Sequence, residues 1–437
     1  MPVSLFSSVV FCDLYSDKEL APLLDDTADI RRMIRFEQAL AKVQGQLGII
    51  PTDAAAKIVT ALETCEIGPE ELTAGTRSAG IPVPALVAHL RKIAGEDAGT
   101  WLHWGATSQD VMDTGFILQA KSCLDVLEVR LGTLISTLET GSLRHADQLL
   151  AGRTRSQIST PITLGYRIAQ WAHTLIDAEA HLPSLRKKVL KIQFGGASGV
   201  NSAVAPDGQR IAEALAEELS LEVSPSWHTN RSGILALSAW LQTMSAGLAK
   251  MAGDLILLGR SDIGEVASGT GGGSSTMPQK SNPVQAEAIL TLNSSLLAAA
   301  NGLSAAASPL EERDGARWPL EWAFLPQMLI ACGAALRHAQ SLADSLRPNP
   351  YRIAESFKNN PEIMAEAASF ALARSGVPRA EAKDIVAAAA AATNVSFEDT
   401  LRENAPDGID WDSVLDPKSV IPACKDMSAQ IFAKRTQ

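Results

Sequence analysis

The chain has 437 residues, and 38 Lys and Arg stand against 49 Asp and Glu, so its formal net charge is -11. Hydrophobic residues make up 46% of the chain, an ordinary share for a folded protein, which excludes a disordered or collagen-like chain. The acidic balance argues against general binding to nucleic-acid phosphates, so no nucleic-acid partner is expected. Positive charge for an anionic substrate must therefore be gathered locally in a site.

Cysteine, histidine and hydropathy patterns exclude several further classes. The five cysteines are odd in number, far apart and without a CxxC pair, so neither a disulfide framework nor a zinc ribbon is expected. The histidines show no metal-ligand spacing such as HExxH, so no metal is assigned. Without about 18 uninterrupted apolar residues or a signal-peptide pattern over residues 1–14, the sequence predicts a cytoplasmic protein with no membrane segment.

The predicted elements are helical from the N-terminal part onward. Apolar residues recur at helical spacing over residues 34–47, and strand-like alternation is scarce. Because Ala and straight-chain residues dominate, the sequence predicts an all-α fold. Three proline-free segments, 111–150, 231–265 and 284–310, exceed the usual helix of about 11–12 residues and predict a central bundle.

Proline and glycine mark the boundaries of three predicted helical domains. Prolines at 82 and 84 and glycines at 95 and 99 end an N-terminal piece, and Arg347-Pro348-Asn349-Pro350 is typical of a linker. The predicted domains are therefore 1–105, 106–346 with the long helices, and 347–437.

The most unusual stretch, residues 269–283, has the sequence GTGGGSSTMPQKSNP. Composition alone favours a flexible linker, but a linker has no use for the MPQKSNP portion, and an apolar helix resumes after Pro283. The loop lacks the GxxxxGK[ST] spacing of a phosphate loop, and GGASG at 195–199 lacks the GxGxxG spacing of a dinucleotide site. The stretch is therefore expected to be a loop whose hydroxyls, lysine and amide act on an anion.

A second stretch, HWGATSQD at residues 103–110, directly precedes an apolar run. Thr107 and Asp110 match the capping-box pattern, which alone explains them as a helix start. A helix N-terminus lined by Thr, Ser and Gln also suits a carboxylate, and capping and binding are compatible.

These two stretches together resemble a known family. The SSxMPxKxNP pattern at 274–283 resembles the signature of the fumarase/aspartase superfamily, GATSQD at 105–110 is similar to its other hallmark, and Arg153-Thr154 stands where its middle motif belongs. The resemblance covers most of the chain and implies a homotetramer with a shared bundle of central helices and sites assembled from three subunits. Residues 103–114, 195–199 and 227–229 are most similar to cycloisomerases that close 3-carboxy-cis,cis-muconate to a lactone in aromatic-compound breakdown.

The resemblance implies roles for individual residues and no cofactor. Ser274 would be the acid/base at the carbon next to a carboxylate, on a loop that closes over a small anionic di- or tricarboxylate. Lys280 and Asn282 would stabilise the charge that develops on that carboxylate. The expected substrate-binding residues are Thr107, Ser108, Gln109, Arg155, Arg313, His103, His228, Ser275 and Met277, with Glu287 orienting a neighbour.

Some of these assignments compete with plainer interpretations. Arg313, in the run Glu311-Glu312-Arg313-Asp314, is either a binder of the substrate's distal carboxylate or part of a solvated charge run. His228 and His103 are either substrate contacts or histidines that cap or complete the core.

Position 155 discriminates between activities. Relatives that eliminate water, ammonia or a purine amine carry a histidine directly after the Arg-Thr pair, but this chain has Arg155. A lactone-forming carboxylate, with a pKa near 4, needs no proton at neutral pH. Arg155 would orient that carboxylate by a two-pronged contact, or else be a surface or interface arginine. An extra cation would also suit a sulfonated muconate.

The expected activity is therefore that of a cycloisomerase, and two alternatives stay open. The first is adenylosuccinate lyase or another fumarate-releasing lyase, against which stand Arg155 and the lack of an Arg-Tyr phosphate-binding pair around residues 16–18. The second is a non-catalytic structural relative, against which stand Ser274, Lys280 and Asn282.

Overall fold

The computed structural model describes residues 3–269, 271–273, 277 and 280–436. The predicted all-α class is confirmed, because helices dominate the described residues and the strands are short. The N-terminal helices are α1 (Cys12–Tyr15), α2 (Asp26–Gln46), α3 (Thr52–Glu63), α4 (Pro69–Ala79), α5 (Val83–Ala94) and α6 (Glu96–Gly99).

Local sequence sets the ends of these helices. The Asp25 side chain accepts a hydrogen bond from the Ala28 N–H at 2.7 Å and so caps α2. Pro69 occupies the first turn of α4, and Gly80, in the left-handed conformation with φ +75°, ends it.

Most of the central helices are long. They are α7 (Ser108–Arg144), α8 (Leu164–Val189), α9 (Gly208–Leu219), α10 (Ser232–Leu258), α11 (Val284–Ser304) and α12 (Pro319–Asp344), of which only α9 is short. Fully or almost fully buried leucines on α7 follow the spacing of a core stripe, and they are Leu124, Leu127, Leu131, Leu134 and Leu138. The three predicted segments match α7, α10 and α11, although each helix ends six or seven residues before its predicted end.

A β-hairpin is the main element that the sequence reasoning missed. Strands β1 (Leu149–Thr154) and β2 (Gln157–Thr163) pair antiparallel, and β1 takes residues assigned to the first long helix. The β-branched residues of β2 were the available signal. The remaining strands have two residues each: β3 (Val266–Ala267), β4 (Gly272–Gly273), β5 (Ser281–Asn282) and β6 (Arg347–Pro348), pairing β3 with β6 and β4 with β5.

Short helices make up the C-terminal region. They are α13 (Pro350–Lys358), α14 (Ala365–Arg374), α15 (Arg379–Ala391), α16 (Phe397–Asn404), α17 (Trp411–Val414) and α18 (Ile421–Ala433). Asn349 and Ser396 cap α13 and α16 through their side chains.

The described chain divides into two compact units, each built from separate stretches of sequence. The first unit runs to Arg130 and includes Ala178–Ser245 and Thr291–Leu336, whereas the second consists of Leu131–Asp177, Ala246–Leu290 and the chain from Arg337 onward. This division does not test the three predicted domains, which stay a prediction.

Each unit has its own apolar core. In the first unit, α2 to α6, the start of α7, and α9 bury a continuous cluster that includes Met33, Phe36, Ile58 and Leu86. In the second unit, α14 to α17 enclose a smaller cluster around Trp411.

Buried tryptophans also join the long helices by hydrogen bonds within each unit. In the first unit, the Trp240 Nε1 donates to the Ala178 carbonyl at 2.8 Å. In the second, the Trp171 Nε1 donates to Asp254 Oδ2 at 2.7 Å. The polar end of each buried indole is thus satisfied, as a tightly packed bundle requires.

Two helical stretches, Val284–Ala307 and Pro319–Asp344, are long and apolar enough to cross a membrane by length and composition alone. Core helices of a bundle have the same composition, so this is weak grounds for a membrane segment.

An ion network in the first unit connects three helical regions. Arg231 donates from Nη1 to Asp113 Oδ2 at 2.7 Å and from Nε to Glu321 Oε1 at 2.8 Å, and all three side chains are 5% exposed or less. The Trp318 Nε1 completes it by donating to Asp113 Oδ1 at 3.0 Å. Burial alone would lower the pKa of Arg231, but the two carboxylates raise it, so the guanidinium stays charged.

We predict that Arg231→Gln destabilises the protein, because it leaves two buried carboxylates without their cation. The expected loss is about 3–5 kcal/mol in the free energy of unfolding, measured by urea denaturation. Arg31→Gln is the control: Arg31 contacts Glu66 at 3.4 Å with both side chains more than 60% exposed, and its loss should cost less than about 1 kcal/mol. Equal denaturation midpoints for the two variants would contradict the prediction.

Candidate functional site

The first group of predicted site residues lies at the start of α7. Thr107 and Ser108 are half-buried at the N-terminus of this 37-residue helix, where backbone N–H groups and the helix dipole favour an anion. Asp110 Oδ2 accepts the Thr107 N–H at 2.9 Å, which is the backward half of the predicted capping box.

Asp110 does much more than cap the helix. Its fully buried carboxylate also accepts hydrogen bonds from the backbone N–H groups of Gly195 at 2.9 Å and Gly196 at 3.0 Å. Gln193 Nε2 at 3.3 Å and His228 Nε2 at 2.9 Å complete the set of five donors. Asp110 therefore fixes the 195–199 loop and His228 against α7, a role that the capping motif alone does not indicate.

His228, predicted as a substrate contact or a core histidine, is 5% exposed. Because its Nε2 meets a carboxylate, this nitrogen carries the hydrogen, and Nδ1 is buried without a hydrogen-bond partner. Nδ1 lies beside Gly199, where an added Cβ would come within 3.7 Å of it.

Gln109 links this group to Arg313. The Gln109 Nε2 donates to Asp113 Oδ2 at 3.2 Å and to the His228 carbonyl at 3.1 Å, so its Oε1 is left to accept from Arg313 Nε at 3.0 Å. Arg313 also donates to the Ala197 carbonyl at 3.1 Å. Gln109 is 2% exposed, and both of its amide atoms are used within the chain.

The loop that carries Arg313 is itself fixed by Asp314. Backbone N–H groups of Leu310 at 3.0 Å and Ala316 at 2.9 Å donate to the Asp314 carboxylate, and these hydrogen bonds, together with Arg317, hold its pKa well below the usual range. The predicted distal-carboxylate binder thus sits on a tightly turned segment, half-buried, and not on a free charge run.

His103 lies just before this helix start, in the left-handed backbone region with φ +65°. Its Nδ1 is 2.5 Å from Glu37 Oε1 on α2. The sequence reasoning did not single out Glu37, and nothing but its place among apolar residues of α2 could have drawn attention to it.

The second group of predicted residues lies around the 269–283 loop. Ser274 and Ser275 lie outside the described residues. Lys280 and Met277 are exposed, and Asn282 is half-buried in β5, which pairs with β4 and closes the base of the loop.

The start of the loop is anchored on both sides of Gly269. The Gly269 N–H donates to Ser345 Oγ at 2.7 Å, and Arg347 donates to the Gly269 carbonyl at 3.1 Å. Lys280 and Asn282 line a cleft of about 590 Å³ in the second unit. The helix predicted to resume after Pro283 is confirmed, since α11 begins at Val284, and Glu287 lies in its first turn.

The middle motif forms the β1–β2 hairpin. Arg155 and Ser156 are its two-residue turn, with φ of +50° and +67°, as tight hairpin turns of this kind require, and Arg155 is exposed. Arg153 instead makes a two-pronged ion pair with Glu265, at 2.6 and 2.8 Å, and so anchors the hairpin.

The predicted site residues therefore fall into two groups. The first unit brings together Thr107, Ser108, Gln109, His228 and Arg313, with His103 nearby, and the second holds Arg155, Met277, Lys280, Asn282 and Glu287. Across the described ranges, no three His, Cys, Asp or Glu side chains cluster as metal ligands would.

Comparisons with known proteins identify relatives of this chain. A family profile described as "Lyase" matches residues 23–296, which is more than half of the chain. The 3-carboxy-cis,cis-muconate cycloisomerase of Pseudomonas aeruginosa is 35% identical over 360 residues, covering 80% of this chain and 78% of that protein.

Solved structures with the same fold extend over nearly the whole chain. The 3-carboxy-cis,cis-muconate lactonizing enzyme from Pseudomonas putida has a TM-score of 0.90 at 30% identity, covering 98% of this chain and 99% of its own. A fumarate lyase from Mesorhizobium sp. BNC1 has a TM-score of 0.88 at 31% identity, covering 96% and 98%. The chain belongs to this lyase family, within the fumarase/aspartase superfamily, as the signature loop and the α7 motif predicted.

Proposed function

We propose that this protein is a cycloisomerase that converts 3-carboxy-cis,cis-muconate to carboxymuconolactone without a cofactor. The relatives of that name, similar over most of their length, support the proposal. The observation that carries it is the hairpin turn, where an arginine and not a histidine follows the Arg-Thr pair.

The chemistry explains why a histidine is dispensable there. When the lactone forms, one carboxylate of the substrate attacks the diene, and the neighbouring carbon takes up a proton. The attacking oxygen is already an anion at neutral pH, so no base is needed to activate it. Only the carbon needs an acid, and the charge that develops on the adjacent carboxylate needs stabilising.

Residues in both groups are assigned to these tasks. Ser274 would deliver the proton, with Lys280 and Asn282 stabilising the developing charge. The helix N-terminus at Thr107 and Ser108 would hold a second carboxylate, and Arg313, oriented by Gln109, a third.

We further propose that the protein is a cytoplasmic homotetramer, with each site drawing residues from three subunits. Large apolar side chains of the long helices stay exposed in the single chain and would be covered in such a bundle. They include Val129 and Leu143 of α7, Leu257 of α10 and Leu297 of α11, which are 46–73% exposed. The three-domain division belongs to the same proposal.

We predict that the purified protein bleaches the ultraviolet absorbance of 3-carboxy-cis,cis-muconate, because lactone formation removes the conjugated diene. Ser274→Ala should lower kcat by about 10²–10⁴-fold, the usual contribution of a positioned proton donor. Rates are measured in parallel on adenylosuccinate and argininosuccinate, which would release fumarate.

Ser419→Ala, at an exposed serine of the second unit outside the cleft that Lys280 and Asn282 line, is the control and should leave kcat unchanged. Fumarate release without diene loss would overturn the cycloisomerase assignment in favour of a lyase. A normal rate for Ser274→Ala on muconate would leave the activity standing and remove the serine from its role.

We predict a separate effect for Arg155→Asn, which deletes the cation but suits the turn, because Asn tolerates the left-handed backbone. If Arg155 holds a substrate carboxylate, KM should rise about 10- to 100-fold, since a hydrogen bond to a charged group contributes about 1.5–3 kcal/mol. Steady-state kinetics on the carboxy- and the sulfo-muconate show which anion it serves.

Ser156→Gly changes the neighbouring turn residue without altering charge, and it should leave KM unchanged. Unchanged kinetics of Arg155→Asn on both substrates would make Arg155 a surface or subunit-interface residue.

A further inference from the structure

The pair formed by Glu37 and His103 combines three features that are unfavourable for stability: a fully buried carboxylate, a carboxylate oxygen without a hydrogen-bond partner, and a left-handed backbone at His103. The Glu37 side chain is 0% exposed, its Oε2 has no hydrogen-bond partner, and its Oε1 lies 2.5 Å from the His103 Nδ1. The backbone of His103 adopts φ +65°, which residues other than glycine rarely do. A buried carboxylate oxygen without a partner alone costs several times what a typical hydrogen bond contributes.

All three unfavourable features orient the imidazole ring of His103. With Nδ1 held by Glu37, the ring presents Nε2 on its other side, and the His103 side chain remains 17% exposed, whereas Glu37 is sealed behind it. Unfavourable backbone and burial concentrated on one side chain are typical of functional sites. His103 is also only four residues before Thr107, at the start of the α7 anion site.

The charges that face the ring come from three helices. They are Glu37 on α2, Arg91 on α5 and Asp110 on α7. Burial and Arg91 lower the pKa of His103, but Glu37, with a smaller contribution from Asp110, outweighs them and raises it. The ring therefore keeps its positive charge to a higher pH than an ordinary histidine.

We propose that Glu37 is a positioning residue that holds His103 as a protonated donor, whose Nε2–H binds a carboxylate of the substrate. The proposal rests on the function proposed above and adds to it a residue that neither the signature loop nor the α7 motif contains. It also supplies a cation in the first unit of a chain whose net charge is -11.

A purely structural pair would join α2 to the 100–105 segment and nothing more. The two roles differ in what pH does to substrate affinity. If His103 binds a carboxylate only when protonated, KM must rise as pH rises through the pKa of His103. A structural pair leaves the pH dependence of KM untouched, whatever it does to stability.

The test is the pH profile of KM for 3-carboxy-cis,cis-muconate in the wild type and in Glu37→Gln. Glutamine keeps an oxygen that accepts from Nδ1–H but removes the charge, so the pKa of His103 falls and the ring is neutralised at a lower pH. The rise of KM with pH should therefore occur at a lower pH in the variant than in the wild type. Between the two rises the variant should have a KM several-fold higher, with kcat little changed.

Glu71→Gln is the matched control, because Glu71 faces His89 at 3.8 Å in an exposed pair of the same unit, and its KM profile should coincide with the wild type. Coinciding profiles for Glu37→Gln and the wild type would overturn the proposal. Turnover by the wild type is measured first, so failure of the proposed function is recognised separately.

Thermal melts of the wild type and the variants measure any loss of stability separately from KM. Should Glu37→Gln fail to fold, His103→Gln decides. The wild-type rise of KM with pH must disappear in that variant. If KM still rises with pH in His103→Gln, or does not rise with pH in the wild type, His103 does not bind the substrate as a protonated donor.

Discussion

The buried carboxylate of Asp110 is the interaction on which the first group of candidate site residues depends. Five donors, from Thr107 just before α7, from residues 193–196 and from His228, converge on it. Because the group is fully buried, each donor left unpaired would cost about 1–3 kcal/mol, so the loop, the ring and the helix start are fixed together. The fixed loop in turn supplies the Ala197 carbonyl that, with Gln109, orients Arg313.

Helical periodicity predicted the fold class and three of the long helices, because an apolar stripe on a long helix is a repeated, local signal. The β1–β2 hairpin was missed because its turn consists of Arg155 and Ser156, whereas an Asn-Gly pair would have predicted a hairpin turn. The capping pattern placed Thr107 correctly at a helix start. Glu37 could not be predicted, because its partner is 66 residues away and only tertiary structure joins them.

Gln109 illustrates a different limit of motif-based reasoning. The motif offers its amide as a carboxylate ligand, but in the structure both amide atoms are engaged by Asp113, His228 and Arg313. An amide has one acceptor and two donors, and once Nε2 is committed to oxygens only Oε1 can meet a guanidinium. The hydrogen bonds therefore make Gln109 a partner of Arg313, which the motif alone does not indicate.

The net charge of the chain is also a poor guide to the charge of the proposed substrate, because local contacts decide which groups an anion meets. A chain of charge -11 should repel a tricarboxylate at long range, yet that field is screened beyond about 8 Å at physiological ionic strength. In the proposed assignment, the groups that would bind its carboxylates are the α7 N-terminus and Arg313, and Lys280 would stabilise the developing charge. The carboxylates nearest the first group, Asp110 and Asp113, are already saturated by donors, and Glu37 acts only through the ring of His103. In the proposed function, this local pairing would let an acidic protein bind an anion.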